Sequence, residues 1–282
     1  MNGFIHSVNE QAAEKAFSKQ SAIFDELYSS NIIIQYKRKR VRDHVQLWLK
    51  PNSKILELNA GTGDDAIWFA QHDHTVHATD ISKGMQERLV QKIQQNKLEL
   101  KITQELCSFT DLQNLSHKGP YDFIFSNFAG LNCTGELQKV LQSFPSLLNP
   151  GGTATLVILP KFCLWEFLMV FRGRFKTAFR RFFSSGGRKA HIEGAYFTCW
   201  YYNPSYVIKN VKSSFDILSV EGLCTLVPPS YLENFPAKRP KFFNWLMEKE
   251  SRWKNKWPWK SIGDYYIISL RKKYKSQPLS DI

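Results

Sequence analysis

The stretch that decides the fold reads Ile55-Leu56-Glu57-Leu58-Asn59-Ala60-Gly61-Thr62-Gly63-Asp64. An apolar segment leads into small residues and two glycines, after which the chain becomes polar. Glycine lets the backbone turn tightly and lie close against a ligand. A helix that begins after such a turn presents free N–H groups, which attract a carboxylate or a phosphate. The stretch therefore predicts a buried strand, a tight turn and a helix whose N-terminus faces a ligand.

A second predicted strand, Thr75–Ile81, carries an acidic residue at its end. Asp80 follows Gly63 by 17 residues, and a carboxylate at this place accepts hydrogen bonds from ribose hydroxyls. A glycine turn after one strand and an acid after the next together indicate a cofactor that contains adenosine. The alternative interpretation is an ordinary tight turn and a solvated aspartate that precedes the next helix.

Glu57 distinguishes between two classes of such cofactors. The dinucleotide-binding turn reads G-x-G-x-x-G, and here its third glycine position holds Ala66. A carboxylate that faces the turn repels a pyrophosphate but suits the ammonium group of an amino acid. Glu57 therefore favours S-adenosylmethionine over a nicotinamide or flavin dinucleotide.

Strands and helices alternate along the middle of the chain, a pattern typical of βαβ units and a parallel sheet. Further helices are expected over residues 9–28, 31–50 and 204–215, and Pro145 is expected to bend or end its helix early. The predicted strands are Lys54–Ala60, Thr75–Ile81, Lys101–Cys107, Tyr121–Phe128, Thr153–Leu159, Asp216–Cys224 and Tyr265–Lys272, and the helices between the first five span 64–71, 83–96 and 134–148.

Four segments resemble the motifs of the class I S-adenosylmethionine-dependent methyltransferases. They are ILELNAGTGDDAIWFA at 55–70, TVHATDISKGMQERL at 75–89, YDFIFSNFAGLN at 121–132 and LLNPGGTATLVIL at 147–159. The second contains the aspartate that binds the ribose in that family. The resemblance is clear over residues 50–160, and it implies a Rossmann-like α/β fold with a seven-stranded, mostly parallel sheet.

The same resemblance implies a division of the chain into four parts of a single domain. Residues 1–50 would form an N-terminal helical cover, and 51–160 the core that binds S-adenosylmethionine. Residues 161–203 would be a lid insertion. Residues 204–282 would complete the core and carry a basic, Trp-rich insertion.

The resemblance also assigns the methionine end of the cofactor. Glu57 would lie near the ammonium group, and Asn127 beside the sulfonium. Asn59 stands where the family usually has its first glycine, and asparagine tolerates the left-handed backbone that this position needs. The residues that would pass under the methionine part are Gly61, Thr62 and Gly63.

For the adenine end, the resemblance implies contacts with Ile81 and Met85. In this family an aspartate after the third strand often faces the adenine amine. Ser108 is the best match to that position, and Asp111 is the alternative if the alignment slips. Phe109 would offer a backbone amide or a stacking face.

The acceptor side is predicted from residues after the fifth strand and from the N-terminal cover. His191 is the candidate general base, because it lies in a segment that could fold over the pocket and because imidazole accepts a proton near neutral pH. The candidate acceptor-binding residues are Tyr28, Asn132, Trp165, Trp200 and Tyr201.

Residues 162–183, FCLWEFLMVFRGRFKTAFRRFF, are apolar and basic at once. Three interpretations remain open: a lid packed on the core, a cover for a hydrophobic substrate that rests on an anionic membrane surface, and an RNA-binding segment. Phe235–Lys260 combines tryptophans with lysines and suits a water–lipid interface or a solvated helix equally. At helical spacing, one face of the first segment would carry Trp165, Leu168, Phe171, Phe175 and Phe179.

The net charge of +13 comes from these late segments. Residues 1–160 hold 16 basic and 16 acidic residues, whereas 161–190 hold eight basic and one acidic, and 236–275 twelve and three. Such basic patches can bind nucleic acids, membrane surfaces or anionic substrates, or can simply form a solvated surface. Five scattered cysteines, no signal-peptide pattern and no long apolar run predict a cytoplasmic protein, with peripheral membrane contact as an option.

Together these features predict an S-adenosylmethionine-dependent methyltransferase for a small, hydrophobic acceptor of lipid, quinone or secondary-metabolite type, without a metal. Three alternatives remain open: an RNA methyltransferase, a cofactor-binding protein without catalysis, and, more remotely, a nicotinamide-dependent oxidoreductase. The pattern does not identify the acceptor atom or the oligomeric state.

Overall fold

The computed structural model describes residues 7–184 and 186–274. Its main sheet has seven strands in the order β3-β2-β1-β4-β5-β9-β8, and β6 and β7 form a separate hairpin. The strands are β1 (Lys54–Leu58), β2 (Thr75–Asp80), β3 (Ile102–Leu106), β4 (Tyr121–Ser126), β5 (Leu148–Ile158), β6 (Arg188–Ile192), β7 (Ala195–Cys199), β8 (Phe215–Leu223) and β9 (Tyr265–Lys272).

Strands β1 to β5 run parallel, while β9 is antiparallel to both β5 and β8. The predicted Rossmann-like, seven-stranded and mostly parallel sheet is thereby confirmed. The strand order reverses between β1 and β4, and ligands of such sheets bind at the carboxyl ends of the strands beside this reversal. The fold therefore places the glycine turn after β1 where a ligand site is expected.

Helices cover both faces of the sheet and carry its core. The helices are α1 (Val8–Gln20), α2 (Phe24–Ser29), α3 (Ile32–Gln46), α4 (Asp64–Gln71), α5 (Lys83–Gln95), α6 (Leu137–Leu147), α7 (Leu164–Phe167), α8 (Phe175–Ala178), α9 (Pro204–Val211), α10 (Phe235–Lys238) and α11 (Pro240–Trp253). On one face Phe144 and Val207 are fully buried against the strands, and on the other Phe69 and Leu89 are buried. This burial of apolar area is the main force that holds the layers together.

The predicted helix over residues 9–28 is wrong in its length, because two helices, α1 and α2, occupy it. Ser21 Oγ donates to the carbonyl of Ser18 at 2.8 Å, a local bond that competes with helix continuation. The helix predicted over residues 31–50 is present as a single helix, α3, but it ends at Gln46, four residues early. Pro145 lies inside α6 without ending it early, since the helix continues to Leu147.

The expectation of one helical face over residues 162–183 is also wrong. Two short helices, α7 and α8, flank a 3₁₀ turn at Leu168–Arg172, and Gly173 ends that turn with φ +69°. A left-handed residue of this kind stops a helix. The five predicted residues therefore do not lie along one helix: Trp165 packs against Phe235, whereas Phe171 is 83% exposed.

The hairpin of β6 and β7 follows this segment, and no strand was predicted here from the sequence. Successive side chains of each strand point to opposite faces of the hairpin. Ile192 and Phe197 face α1, where they pack with Ala13 and Ala16. Among the described residues, no helix is both long and apolar enough to cross a membrane.

Candidate active site

A cavity of about 380 Å³ lies at the carboxyl ends of the parallel strands, beside the strand reversal. Its floor is built by the residues that follow β1, β2, β3 and β4. Helices α1, α2 and α3 and the β6–β7 hairpin close it from the other side. A concave site of this size is typical of small-molecule binding.

The glycine turn after β1 is held open toward this cavity by left-handed residues. Asn59, Gly61 and Gly63 have φ values of 47°, 58° and 84°. A Cβ atom at Gly63 would lie 2.1 Å from Cδ1 of Leu89, so a side chain there would collide with α5. A Cβ atom at Gly61 would meet no atom within 4 Å. The backbone can thus approach a ligand closely at Gly61.

Asn59 adopts the left-handed backbone that its residue type allows, and its side chain is directed to the end of β4. Its Nδ2 donates to the carbonyl of Asn127 at 2.9 Å, and its Oδ1 accepts from the Ser126 hydroxyl at 2.6 Å. These bonds join the ends of β1 and β4 and fix the Asn59 amide at the cavity wall.

Glu57 lines the cavity as a buried carboxyl group with one unsatisfied atom. Its Oε2 is buried without a hydrogen-bond partner among the described residues. Burial raises the pKa of this carboxyl well above its usual range, and the nearby Asp65 raises it further. A buried acceptor without a donor is costly, so this atom points to a ligand that brings N–H donors, such as an ammonium group.

Asp80 lines the cavity at the end of β2 and orients the glycine turn. Its Oδ2 accepts from the Gly61 N–H at 2.9 Å and its Oδ1 from the Ser82 N–H at 2.8 Å. Burial raises the pKa of its carboxyl, and the two amide bonds oppose that rise. Each carboxylate oxygen can accept a second hydrogen bond, so the group remains able to accept from two ribose hydroxyls.

The adenine side is apolar where the sequence predicts it, but its polar edge differs. Ile81, Met85 and Phe109 all line the cavity. The hydroxyl of Ser108 also lines the cavity but already donates to Glu10 at 2.6 Å. The polar group expected at the adenine edge is therefore not Ser108 alone, because the Glu10 carboxylate of α1 lies beside it.

Glu10 is a cavity residue that the sequence analysis missed. It also forms a capping box with Ser7 at the start of α1. This motif is a sequence signal for a helix N-terminus, not for a ligand site. Burial raises the pKa of Glu10, but hydrogen bonds from Ser108, Thr110 and Ser7 outweigh that effect and leave the pKa lowered. An ionised acceptor thus lies at the adenine edge.

The N-terminal cover is fastened to the cofactor side by polar contacts. Asp25 of α2 accepts from the Thr62 hydroxyl at 2.6 Å and pairs with Lys92 of α5 at 2.7 Å. The Ser18 hydroxyl of α1 lies 2.8 Å from that of Ser82. These contacts hold α1 and α2 over the strand ends.

Asn127 lines the cavity after β4, in a fixed orientation. Its Nδ2 donates to Asp65 at 2.7 Å, and Asp65 in turn accepts from Arg42 at 2.9 and 3.0 Å. Of the predicted cofactor residues, only Gly63 does not line the cavity, because it is turned against Leu89.

The prediction of His191 as general base finds no support in the geometry. His191 is exposed, packs against Tyr196 with tilted rings whose centroids are 4.6 Å apart, and does not line the cavity. Its neighbour Ile192 lines the cavity instead. Because adjacent residues of a strand point to opposite faces, His191 is directed away from the site, and none of the described histidines reaches it.

Of the predicted acceptor-binding residues, Tyr28 alone lines the cavity. Asn132 is a buried brace: its Nδ2 donates to the carbonyl of Trp200 at 2.6 Å, and its Oδ1 accepts from the Leu159 N–H at 2.9 Å. Tyr201 is buried beneath the Arg181 guanidinium, and Trp165 packs edge-on against Phe235. Trp200, half-buried, packs against Gly135 and Gly187. These four aromatic and amide residues support the wall from behind.

The residues that line the acceptor side come instead from α3 and from the ends of β4, β5 and β9. Phe128 follows β4, Leu159 follows β5, and Tyr265 begins β9. Lys37 of α3 lies over them, with its Nζ 4.8 Å from the Tyr265 ring centroid. Lys37 belongs to the basic run Lys37-Arg38-Lys39-Arg40, in which nothing local shows which cation would line a cavity.

Within the described residues, two groups of potential metal ligands lie outside the cavity. His77, Glu105 and His117 lie close together near β2 and β3, where His77 Nε2 lies 3.0 Å from Glu105. The second group is Cys163, Glu166 and Asp264, in which Glu166 Oε1 and Asp264 Oδ1 each lie 2.7 Å from Arg181. Glu166 Oε2 is buried without a hydrogen-bond partner among the described residues, and neither group lines the cavity.

The cavity residues fit S-adenosylmethionine. The unpartnered oxygen of Glu57 suits the methionine ammonium, Asp80 suits the ribose, and Gly61 leaves room for the chain between them. The apolar walls at Ile81 and Met85 suit an adenine ring.

Comparison with known proteins points the same way. Residues 55–152 match the family model described as a methyltransferase domain. No curated protein matches the chain by sequence. Among solved structures, the 1,6-didemethyltoxoflavin-N1-methyltransferase of Burkholderia thailandensis, with S-adenosylhomocysteine bound, aligns with a TM-score of 0.56 and 13% identity over 97% of this chain and 94% of its own.

Two further structures share the fold. The [4+2]-cyclase SpnF aligns with a TM-score of 0.62 and 14% identity over 96% of this chain and 99% of its own. Phosphoethanolamine N-methyltransferase 2 of Haemonchus contortus, in complex with phosphomonomethylethanolamine and S-adenosylhomocysteine, aligns with a TM-score of 0.59 and 14% identity over 96% of this chain and 61% of its own. Residues 55–152 thus match the methyltransferase domain, and the chain has the fold of these solved structures.

Proposed function

We propose that the protein is an S-adenosylmethionine-dependent methyltransferase that acts on a small acceptor with a largely apolar body. The observation that carries the proposal is the covered cavity, which continues from the cofactor residues to an acceptor half walled by Phe24, Phe128, Leu159 and Tyr265. A site that helices and a hairpin close from above suits a small molecule better than a long RNA strand. The methyltransferase neighbours whose structures contain small acceptors support the same inference.

The residues of the chain contribute position and exclusion of water. When bound, S-adenosylmethionine supplies a methyl group on a positively charged sulfur. An electron pair of the acceptor forms the new bond to the methyl carbon, and the thioether leaves with the electron pair of the old carbon–sulfur bond. Asn59 and Asn127, held by their hydrogen bonds, fix the wall beside the reacting end. Phe128 and Tyr265 exclude water from it. Orientation in a dry site is the contribution that methyl transfer needs most.

The proposed parts of the chain follow from these contacts. Of the described residues, we propose that 7–50 form the cover and 51–160 the cofactor-binding core. We propose that 161–184 and 186–203 form a lid whose hairpin reaches the cavity through Ile192 and Phe197, and that 204–274 complete the core. Because the cover is latched through Asp25, we propose that release of this latch admits the ligands.

The proposal predicts that label from methyl-labelled S-adenosylmethionine enters low-molecular-weight compounds of a metabolite extract. Bulk tRNA incubated in parallel should stay unlabelled, and its binding should not show the steep salt dependence of phosphate contacts. Asp80→Ala protein serves as the control for enzyme-dependent label. Labelled tRNA would identify an RNA methyltransferase instead, and an extract without any labelled product would indicate a binding protein without catalysis.

We also propose that the lid touches an anionic membrane surface. Phe171 is 83% exposed and Phe183 73% exposed, and Arg172, Arg174 and Lys176 are exposed beside them. Exposed aromatic residues among cations are typical of interfacial binding, where apolar insertion and attraction to anionic lipids add. An acceptor with a lipid-like body would reach the cavity from such a surface.

This placement predicts that the protein sediments with phosphatidylcholine vesicles that contain about 30% phosphatidylglycerol, and that high salt weakens the binding. Replacing both Phe171 and Phe175 with serine should weaken it about tenfold or more, since two inserted rings are lost. Leu100→Ser, at a fully exposed residue at the opposite edge of the sheet, is the matched control. Equal binding of the double variant and the wild type would contradict a membrane contact at the lid.

A further inference from the structure

Lys37 is a buried cation whose charge no acidic side chain balances. It is 4% exposed. In the part of the chain that the structure describes, Lys37 makes no ion pair, and its recorded hydrogen bond runs from Nζ to the neutral hydroxyl of Ser230 at 3.2 Å. A buried ammonium group without a counter-ion is expensive. Its neighbours on α3 differ, because Arg38 pairs with Asp64 and Arg40 with Glu221 and Glu250.

Two aromatic rings flank this ammonium group. Its Nζ lies 4.8 Å from the ring centroid of Tyr265 and 5.4 Å from that of Phe128. A cation over ring faces gains electrostatic stabilisation when it is desolvated. These contacts account for part of the cost of burial, but they leave the charge of Lys37 without an anionic partner.

The ammonium group of Lys37 lies in the acceptor half of the cavity. Glu57 and Asp80, which suit the cofactor, lie at the ends of β1 and β2. Phe128 follows β4, and Tyr265 lies at the carboxyl end of β5, since Tyr266 pairs with Ile158. The cation therefore lies on the other side of the strand reversal from the ribose and ammonium sites.

The geometry points to an acceptor that carries a negative charge on a flat apolar body, a carboxylate or a phenolate, whose anionic group pairs with Lys37. The aromatic neighbours supply stacking faces for the body, and the ammonium group supplies the counter-charge in a dry site, where an ion pair is strong. None of the described histidines reaches the cavity to act as base, and a phenolate held by Lys37 would arrive already deprotonated. This inference rests on the proposed function and names the substrate class of the same site.

Calorimetry on the S-adenosylhomocysteine-loaded enzyme tests the inference without knowledge of the natural acceptor. Benzoate is compared with benzamide, and 4-nitrophenolate with 4-nitroanisole, at a pH at which both acids are ionised. The wild type should bind at least one anion about tenfold or more tighter than its neutral analogue, the scale of a charge-assisted hydrogen bond. The pair that shows the preference identifies carboxylate or phenolate. The absence of any preference in the wild type overturns the inference.

Lys37→Met should abolish the preference for the anion, whereas Lys37→Arg should retain part of it. Lys39→Met removes an exposed cation two residues away on the same helix and should leave the preference unchanged. If Lys37→Met does not fold, Lys37→Gln takes its place. An anion preference that survives loss of the Lys37 charge would also overturn the inference.

A second measurement separates the acceptor from the cofactor. Lys37→Met is titrated with S-adenosylhomocysteine and with 5′-methylthioadenosine, which lacks the amino-acid carboxylate. Both affinities should match the wild type. A selective loss for S-adenosylhomocysteine would show that Lys37 pairs with the cofactor carboxylate, and the inference would fall while the proposed methyltransferase function remained.

Discussion

Replacement of Asp80 with alanine is expected to weaken the binding of S-adenosylmethionine by about 1–3 kcal/mol, the range for hydrogen bonds to a charged group. The substitution removes the acceptor for the ribose hydroxyls. It also leaves the N–H groups of Gly61 and Ser82, now 2.9 and 2.8 Å from the carboxylate, without their partner. The loss corresponds to roughly a fivefold to 150-fold rise in Kd, which calorimetry can measure directly.

The ribose contact can be separated from the effect on the turn by a second ligand. An S-adenosylhomocysteine analogue that lacks both ribose hydroxyls should bind Asp80→Ala and wild type with a much smaller difference, as in a double-mutant cycle. Asp73→Ala, at an exposed aspartate in the loop before β2, is the control and should bind like the wild type. Unchanged affinity of Asp80→Ala for the complete cofactor would show that the ribose lies elsewhere.

The cofactor half of the site was predictable because its signals are local. In the turn from Asn59 to Gly63 the backbone geometry restricts which residue types are allowed. Asn59, for example, has a φ of 47°, in the left-handed region that asparagine tolerates better than most residues. Asp80 ends a strand that is parallel to β1, so its place beside the turn follows from the βαβ connection alone. Alternation of strands and helices predicted a parallel sheet, and the resemblance implied its seven strands.

The acceptor half was not predictable because its residues meet only in the folded chain. Lys37 and Tyr265 are more than 200 positions apart in the chain, and no periodicity relates them. His191 was the candidate base because its segment could fold over the pocket, but a hairpin that the sequence did not reveal turns it outward beside Tyr196. Pairing register decides which residues of a strand face a ligand, and a shift by one residue reverses the answer.

The acceptor half depends on a buried carboxylate far from the reacting atoms, Glu250 of α11. This side chain is 1% exposed. Its two oxygens accept from four consecutive backbone N–H groups, those of residues 224 to 227, at 2.8 to 3.0 Å, and from the Tyr36 hydroxyl at 3.0 Å. It also pairs with Arg40 at 3.4 Å. Glu250 therefore joins α11, the loop after β8 and α3, the helix that carries Lys37.

Glu250→Ala is accordingly expected to lower the free energy of unfolding by about 3–5 kcal/mol, because it leaves four amides unsatisfied and removes one of the two carboxylates paired with Arg40. Denaturant unfolding measures the change. Glu248→Ala removes an exposed carboxylate from the same helix and should cost about 0.5 kcal/mol or less. Glu250→Gln keeps one acceptor oxygen and should fall between the two. If Glu250→Ala unfolded at the same denaturant concentration as Glu248→Ala, the four amides would have found other partners, and α11 would not be what holds α3 over the acceptor half.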